Sequence, residues 1–227
     1  MQMRVSSTNV QLRQSSAHNG DPCGCLSTGS HAALIARLQE LRTGWPFRLA
    51  NFLPCTLLPT AAFTTRDFRH ALGQFATGVT IVTTMDSQGQ PVGMTVSSFN
   101  SVSLDPPLVL WSLAHNAASL PVIQNCSHYA IHVLGAEQQA LAQRFATRGI
   151  DRFAEVAWQP GEHGLPLLDG AAAIFICSNR SQYAEGDHTI FVGEVAQCQH
   201  GLNVVPLLYH GGRMYAQHGV PAAPYVE

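Results

Sequence analysis

The chain has 227 residues, a formal net charge of −2, only 11% charged residues and no lysine. That length fits one domain, or one domain with an appendage, and an apolar fraction of 46% suffices for a sizeable core. The near-neutral charge excludes the basic stripe of a nucleic-acid binder. The missing lysine excludes Schiff-base and P-loop chemistry, so a phosphate would have to rely on arginine, backbone N–H groups and hydroxyls.

The six cysteines are scattered, apart from Cys23 and Cys25 in a C-G-C that is tighter than a zinc C-x-x-C pair. No metal site is expected. With no signal peptide evident, they read as reduced thiols, which predicts a cytoplasmic protein. No apolar run approaches the roughly 18–20 residues of a membrane span. The longest candidate, near Phe52–Phe63, is broken by Pro54 and Pro59.

Residues 1–60 differ in composition from the remainder. The stretch to His31 is rich in Ser, Thr, Gly, Asn and Gln, and a short helical pattern follows at His31–Arg42. Five arginines against Asp21 and Glu40 would suit a transit peptide, but the polar composition favours a disordered or loosely structured extension. The compact domain is predicted over 61–227. Thr64 or Thr65 can cap a helix whose apolar residues are Phe68, Leu72 and Phe75, and Gly78 is its expected stop. Strands then dominate. Val79–Thr84 is β-branched, Ser87–Gln90 supplies a turn, and Pro91–Val102 returns as the second arm of a hairpin. After the Asp105-Pro106-Pro107 break comes a strand at Leu108–Leu113. Asn116 is the expected cap of a helix reaching Cys126. His128–Leu134 is a strand, Glu137–Thr147 a helix and Pro160–Gly170 a loop. Further strands are expected at Ala171–Ser181, His188–Gln197 and Pro206–Tyr215. This spacing lacks the strand–helix alternation of a parallel sheet and predicts an antiparallel barrel with peripheral helices.

G-x-G-x-x-G, G-x-x-x-x-G-K and G-x-S-x-G are all missing, so a Rossmann dehydrogenase, a P-loop enzyme and an α/β-hydrolase find no support. Five other segments form an ordered pattern. They are G-V-T-I-V-T-T (Gly78–Thr84), G-M-T-V-S-S-F-N-S-V-S-L-D-P-P (Gly93–Pro107), N-A-A-S (Asn116–Ser119), G-D-H-T-I-F-V-G-E-V (Gly186–Val195) and P-L-L-Y-H-G-G-R-M-Y (Pro206–Tyr215). In this order the chain resembles, from about Thr65 to Gln217, the short-chain flavin reductases that serve as reductase components of two-component flavin monooxygenases. The resemblance implies a mainly β fold, an FMN-binding split β-barrel of antiparallel Greek-key type with peripheral helices. It also implies a homodimer, FMN or FAD, NADH or NADPH, and a flavin-dependent oxygenase as partner. Alternatives are a flavoprotein that holds FMN tightly and reduces another acceptor, or a flavin- or heme-binding split barrel without turnover.

The residues themselves suit a flavin. Thr95, Val96, Ser97 and Ser98 offer hydroxyls and backbone N–H groups along one strand, and Ser112 and Leu113 end another; on composition alone the first stretch reads first as an ordinary Ser/Thr-rich edge strand, and the resemblance reverses that order. Asn116–Ser119 lies at a predicted helix start, where free N–H groups attract phosphate. The resemblance places this segment near the flavin phosphate, but no basic residue stands in it here. His115 or a nearby arginine, such as Arg148 or Arg152, has to substitute. Arg144 and Phe145 match helix residues facing the flavin, and Tyr209, Arg213 and Tyr215 fall near the cofactor pocket by the same resemblance. His188 matches a histidine that faces the nicotinamide. Hydride transfer needs close stacking and exclusion of water rather than a protein nucleophile, so positioning is its expected work.

Overall fold

The structure is a computed structural model, and it describes residues 62–221. The predicted extension over 1–60, its helical pattern and Cys23, Cys25 and Cys55 lie outside the described residues. The first described element is helix α1 (Thr65–Leu72). Thr64 caps it: its hydroxyl accepts the Asp67 backbone N–H, and the Asp67 carboxylate accepts the Thr64 N–H at 3.0 Å. The Thr64 hydroxyl, donating to the same carboxylate at 2.7 Å, and then the Thr64 N–H hold the Asp67 carboxyl below its usual range. The helix stops at Gly73 rather than at the expected Gly78, because the Gly73 carbonyl accepts the Gly211 N–H at 2.9 Å and Gly78 is already in a strand. Burial does not fix α1, for none of its residues is buried.

Among the described residues twelve strands follow, with two further α-helices. The strands are β1 (Thr77–Gly78), β2 (Thr80–Met85), β3 (Pro91–Val96), β4 (Asn100–Leu104), β5 (Pro107–Ala114), β6 (His128–Val133), β7 (Trp158–Pro160), β8 (Pro166–Leu168), β9 (Ala173–Glu185), β10 (His188–His200), β11 (Leu208–His210) and β12 (Arg213–Tyr215). The helices are α2 (Leu120–Asn125) and α3 (Gln139–Ala146). Seven strands form one antiparallel sheet in the order β3-β2-β6-β9-β10-β5-β4. The expected single strand over 91–102 is two strands, broken at Ser97-Ser98-Phe99. The break lets the sheet curl on itself. The Ser98 hydroxyl donates to the Ser112 carbonyl at 3.0 Å and accepts the Ser112 N–H at 2.9 Å, so one side chain closes the gap between β3–β4 and β5.

The barrel core holds Val82, Met94, Trp111, Leu113, Tyr129, Ile131 and Phe191. The Trp111 ring stacks on Phe191 with centroids 4.8 Å apart and meets Tyr129 edge-on. A second cluster lies under α3. It includes Ile81, Ala142, Phe145, Phe153, Leu168 and Leu207, with Tyr209 and Trp158 packed at its margin. The predicted loop at Pro160–Gly170 contains the turn and second arm of a small ribbon, β7–β8. The last expected strand is a hairpin, β11–β12, turning at Gly211-Gly212 with φ of 56° and 82°, values that favour glycine.

Candidate cofactor site

Four segments converge on one side of the barrel. β10 pairs with β5 so that His188 stands opposite Ala114 and Ile190 opposite Ser112. The His115 N–H donates to the Asp187 carbonyl at 2.9 Å, which ties the Gly186-Asp187 turn to the segment after β5. The Ser98–Ser112 bonds bring the end of β3 to the same place. The fourth segment is the loop after α3, which reaches Asn116 through Arg148: Nη2 donates to Oδ1 at 3.3 Å.

Each hydroxyl of the T-V-S-S stretch has a distinct fate. Thr95 donates to the Ala142 carbonyl at 2.7 Å, anchoring α3 on β3. The Val96 carbonyl accepts the Thr80 hydroxyl, and the Val96 side chain packs against the barrel core. Ser98 clips the barrel. Ser97 is exposed, and among the described residues its hydroxyl has no protein partner. Leu113 is buried in the core, so it offers this side only its backbone. Asn116 is not the cap of a helix, as the sequence suggested. Helix α2 starts at Leu120, spans six residues, and has Ser119 at its cap without a side-chain cap bond. Ser119 makes only a long contact to the Met94 sulfur, at 3.5 Å.

Arg144 and Phe145 sit differently from the expectation of residues facing a flavin. Phe145 is fully buried, edge-on to Phe153 at 5.0 Å, and packed against Gly93. Arg144 donates to the backbone carbonyls of Arg152 at 2.9 Å and Asp151 at 3.2 Å. Arg152 in turn donates to the carbonyls of Thr147 and Gly93, at 2.9 and 2.8 Å. Asp151 accepts the N–H groups of Phe153 and Ala154. These bonds build a rigid wall from 149–153. Between this wall and Pro91–Gly93, Ala118, Ser119 and Val122 lies a cavity of about 390 Å³. None of Arg144, Arg148 and Arg152 has a carboxylate within 4.0 Å among the described residues. Partial burial, then the neighbouring Arg148 charge, holds the Arg152 guanidinium below its usual range. Arg148, exposed and bonded to Asn116 rather than to a carbonyl or carboxylate, keeps guanidinium donors that suit an anionic group.

His188 is half-buried, and its Nδ1 lies 2.6 Å from Asp187 Oδ1. The carboxylate can only accept, so Nδ1 carries the proton and Nε2 is left for a ligand. The bond from His188 also lowers the Asp187 carboxyl below its ordinary range. Tyr209, Arg213 and Tyr215 lie apart from the serine bend, on the three-stranded sheet β1-β11-β12. Tyr209 is half-buried in the second cluster, and Arg213 and Tyr215 are exposed. A larger cavity, about 610 Å³, is at the other end of α2, beside Asp86, Cys126, His128 and His163. Among the described residues no group of three or more His, Cys, Asp or Glu could hold a metal, and no helix is long and apolar enough to cross a membrane.

The antiparallel sheet, closed on itself at the serine bend, defines a protein of the split-barrel class. Residues 72–218 match the flavin reductase like domain, so the chain belongs to that family and is a flavin reductase. It is 48% identical over 147 residues to FMN reductase (NADH) SmoA of Agrobacterium fabrum, covering 65% of this chain and 83% of that protein. It is 43% identical over 130 residues to the reductase component of the flavin-dependent trigonelline monooxygenase of Acinetobacter baylyi, spanning 57% of this chain and 42% of that protein. Among solved structures it resembles the NADH:FAD oxidoreductase SgcE6 of Streptomyces globisporus in complex with NAD and FAD fragments. There the TM-score is 0.65 at 38% identity, covering 70% of this chain and 98% of that one.

Proposed function

We propose that the chain passes a hydride from NADH or NADPH to FMN or FAD bound along the serine bend, with the flavin phosphate held at Arg148, Asn116 and Ser119. The observation that carries this reading is exposed Arg148, which has no carboxylate within 4.0 Å among the described residues and sets Nη2 on Asn116 Oδ1 at 3.3 Å. The exposed Ser97 hydroxyl, lacking a protein partner, is a free hydrogen-bonding group for the flavin ring or its side chain. The bound flavin supplies the hydride-accepting ring. The protein's work is to hold the two rings together and keep water out. His188 does part of that work. Asp187 fixes its tautomer, so Nε2 faces the nicotinamide side as an acceptor when neutral.

Two considerations support a homodimer. Phe63, Phe68, Leu72 and Phe75 are 73%, 51%, 57% and 72% exposed, a run of large apolar side chains unusual on a free surface. The two-fold dimer is also the commonest soluble assembly. Relatives named as monooxygenase reductase components support an oxygenase as the consumer of reduced flavin. The chemistry fits a cytoplasmic location, where nicotinamide nucleotides and reduced thiols coexist. The test is NADH oxidation by the purified chain with and without added FMN. Turnover that needs added flavin is expected. A protein that remains yellow through dialysis and turns over without added flavin would replace this reading with a bound prosthetic group.

A further inference from the structure

We propose that His132 is a positioning residue for flavin reduction, whose neutral ring fastens the β7–β8 ribbon to the barrel and through it holds the 149–153 wall of the cofactor cavity. This inference rests on the assignment of that cavity to the flavin. His132 lies on β6 and is fully buried. Its Nε2 is 3.1 Å from the Leu168 nitrogen, and its Nδ1 is 3.1 Å from the Ile81 carbonyl oxygen. The Leu168 N–H can only donate, so Nε2 is the acceptor and Nδ1–H donates to Ile81. One ring therefore bolts the ribbon, through Leu168, to β2, through Ile81.

Three other contacts seat the same ribbon. The Thr83 hydroxyl donates to the Pro166 carbonyl at 2.7 Å. Leu165 is buried against Ala130 and Ile176. His128, four residues before His132 and so on the same strand face, stacks on His163 of the ribbon turn with centroids 3.8 Å apart. From the ribbon to the cavity the contacts are continuous. Leu168 pairs with Trp158. The Trp158 ring meets Phe153 edge-on at 6.3 Å, and Phe153 lines the cavity beside Arg152, Gly93 and Ser119.

Protonation of His132 would set an N–H against the Leu168 N–H in a dry site. Burial accordingly pushes its pKa down to about 4 from 6.5, with the Ile81 bond opposing. No charged side chain from β2, β8 or β9 is among the causes of that shift. His128 is faced by His163 and Glu162 of the ribbon turn, and Asp86 lines the same cavity from the β2–β3 turn. Because the folded pKa of His132 is depressed, its contribution is whole above about pH 6.5 and is lost as pH falls through about 4.

The experiment compares the wild-type chain with His132→Gln and His132→Leu, reading FMN affinity by fluorescence quenching and Leu168 amide exchange from pH 7.5 to 4. Glutamine can keep an acceptor at the Nε2 position but cannot titrate. His132→Gln should bind FMN within about threefold of wild type at pH 7.5, and its affinity should not share the wild-type decline, roughly twofold by pH 4. His132→Leu, lacking the acceptor, should bind FMN roughly fivefold or more weakly at every pH, with faster Leu168 exchange. A His132→Gln protein with the wild-type acid decline would overturn the proposal. So would a His132→Leu protein that melts earlier yet binds FMN normally. Should both variants fail to fold, nitrogen NMR of the wild-type ring decides: a ring still neutral where FMN affinity has halved rules the latch out. Leu168 exchange reads the latch directly. If exchange follows His132 while FMN affinity ignores both His132 and Arg148, the cavity assignment has failed, and with it the proposed role in flavin reduction.

Discussion

Gly93→Ala perturbs the wall of the cavity from the face of β3 that lies under α3. Gly93 sits on β3 opposite Thr83, and its carbonyl accepts Arg152 Nη1. A Cβ added there would stand 2.7 Å from Phe145 Cε1, 3.0 Å from Phe145 Cδ1 and 3.2 Å from Phe153 Cε2. Real Cβ atoms do not come that close to an aromatic carbon. Neither ring can swing clear, since Phe145 is fully buried, Phe153 nearly so, and each packs on the other. The strand or the rings must shift, and overpacking of this kind costs about 1–3 kcal/mol. At about 2–4 °C per kcal/mol for a domain of this size, Tm should fall by about 2–12 °C. Because the displaced strand also carries the Arg152 contact, FMN affinity should fall with it. Scanning calorimetry and fluorescence quenching on the same protein read both effects. Gly78→Ala is the control, for nothing lies within 4 Å of an added Cβ there and its φ is not in the left-handed region. A Gly93→Ala protein that melts within about 1 °C of wild type and binds FMN normally would refute the packing argument.

Arg148→Ala should weaken FMN roughly 5- to 30-fold by removing one charge-assisted contact at an exposed site, and leave riboflavin affinity unchanged; equal losses for both ligands would remove Arg148 from the phosphate. His188→Ala should lower kcat/KM for NADH roughly 5- to 150-fold with flavin affinity nearly intact, and Asp187→Asn should move in the same direction by freeing the ring; unchanged NADH kinetics in a stable His188→Ala protein would exclude the role. Ser98→Ala leaves the Ser112 N–H without its partner and should cost about 1–3 kcal/mol, so Tm and flavin affinity fall together, whereas Ser97→Ala should weaken flavin alone. Phe68→Glu with Leu72→Glu should yield a monomer in light scattering, and an unchanged dimer would mean that α1 does not make the interface.

Features governed by local rules were legible in the sequence. Thr64 or Thr65 announces a helix start, and Thr64 is the cap; the β-branched run after Gly78 announces a strand, and Ser87–Gln90 a turn, which the Asp86 carboxylate braces by accepting two backbone N–H groups. What failed was decided by distant partners. The break in Pro91–Val102 exists because Ser98 finds Ser112, which no local pattern announces. Asn116 looks like a cap, but its side chain meets Arg148, 32 residues on. The family resemblance could suggest Arg144 for a ligand but not that backbone carbonyls had engaged it. The ribbon at 158–168 hid behind Pro160 and Pro166, each read as a loop signal. His132 was overlooked, although H-Y-A-I-H places two histidines on one strand face, a spacing that could have raised the question.

The stacked aromatic core has an optical consequence. Trp111 precedes Ser112 at the proposed flavin edge, is fully buried against Phe191 and Tyr129, and has an indole N–H without a hydrogen-bond partner. An indole in so apolar a setting emits toward the blue, while half-buried Trp158 on the ribbon emits further to the red. A flavin docked beside Ser112 would accept excitation from Trp111 most readily, because transfer falls steeply with distance. Of the chain's three tryptophans, Trp45 lies outside the described residues, and Trp111 and Trp158 contribute a blue and a red component. Loss of the blue component reports an occupied cofactor site, and drift of the red component reports a ribbon that has left the barrel.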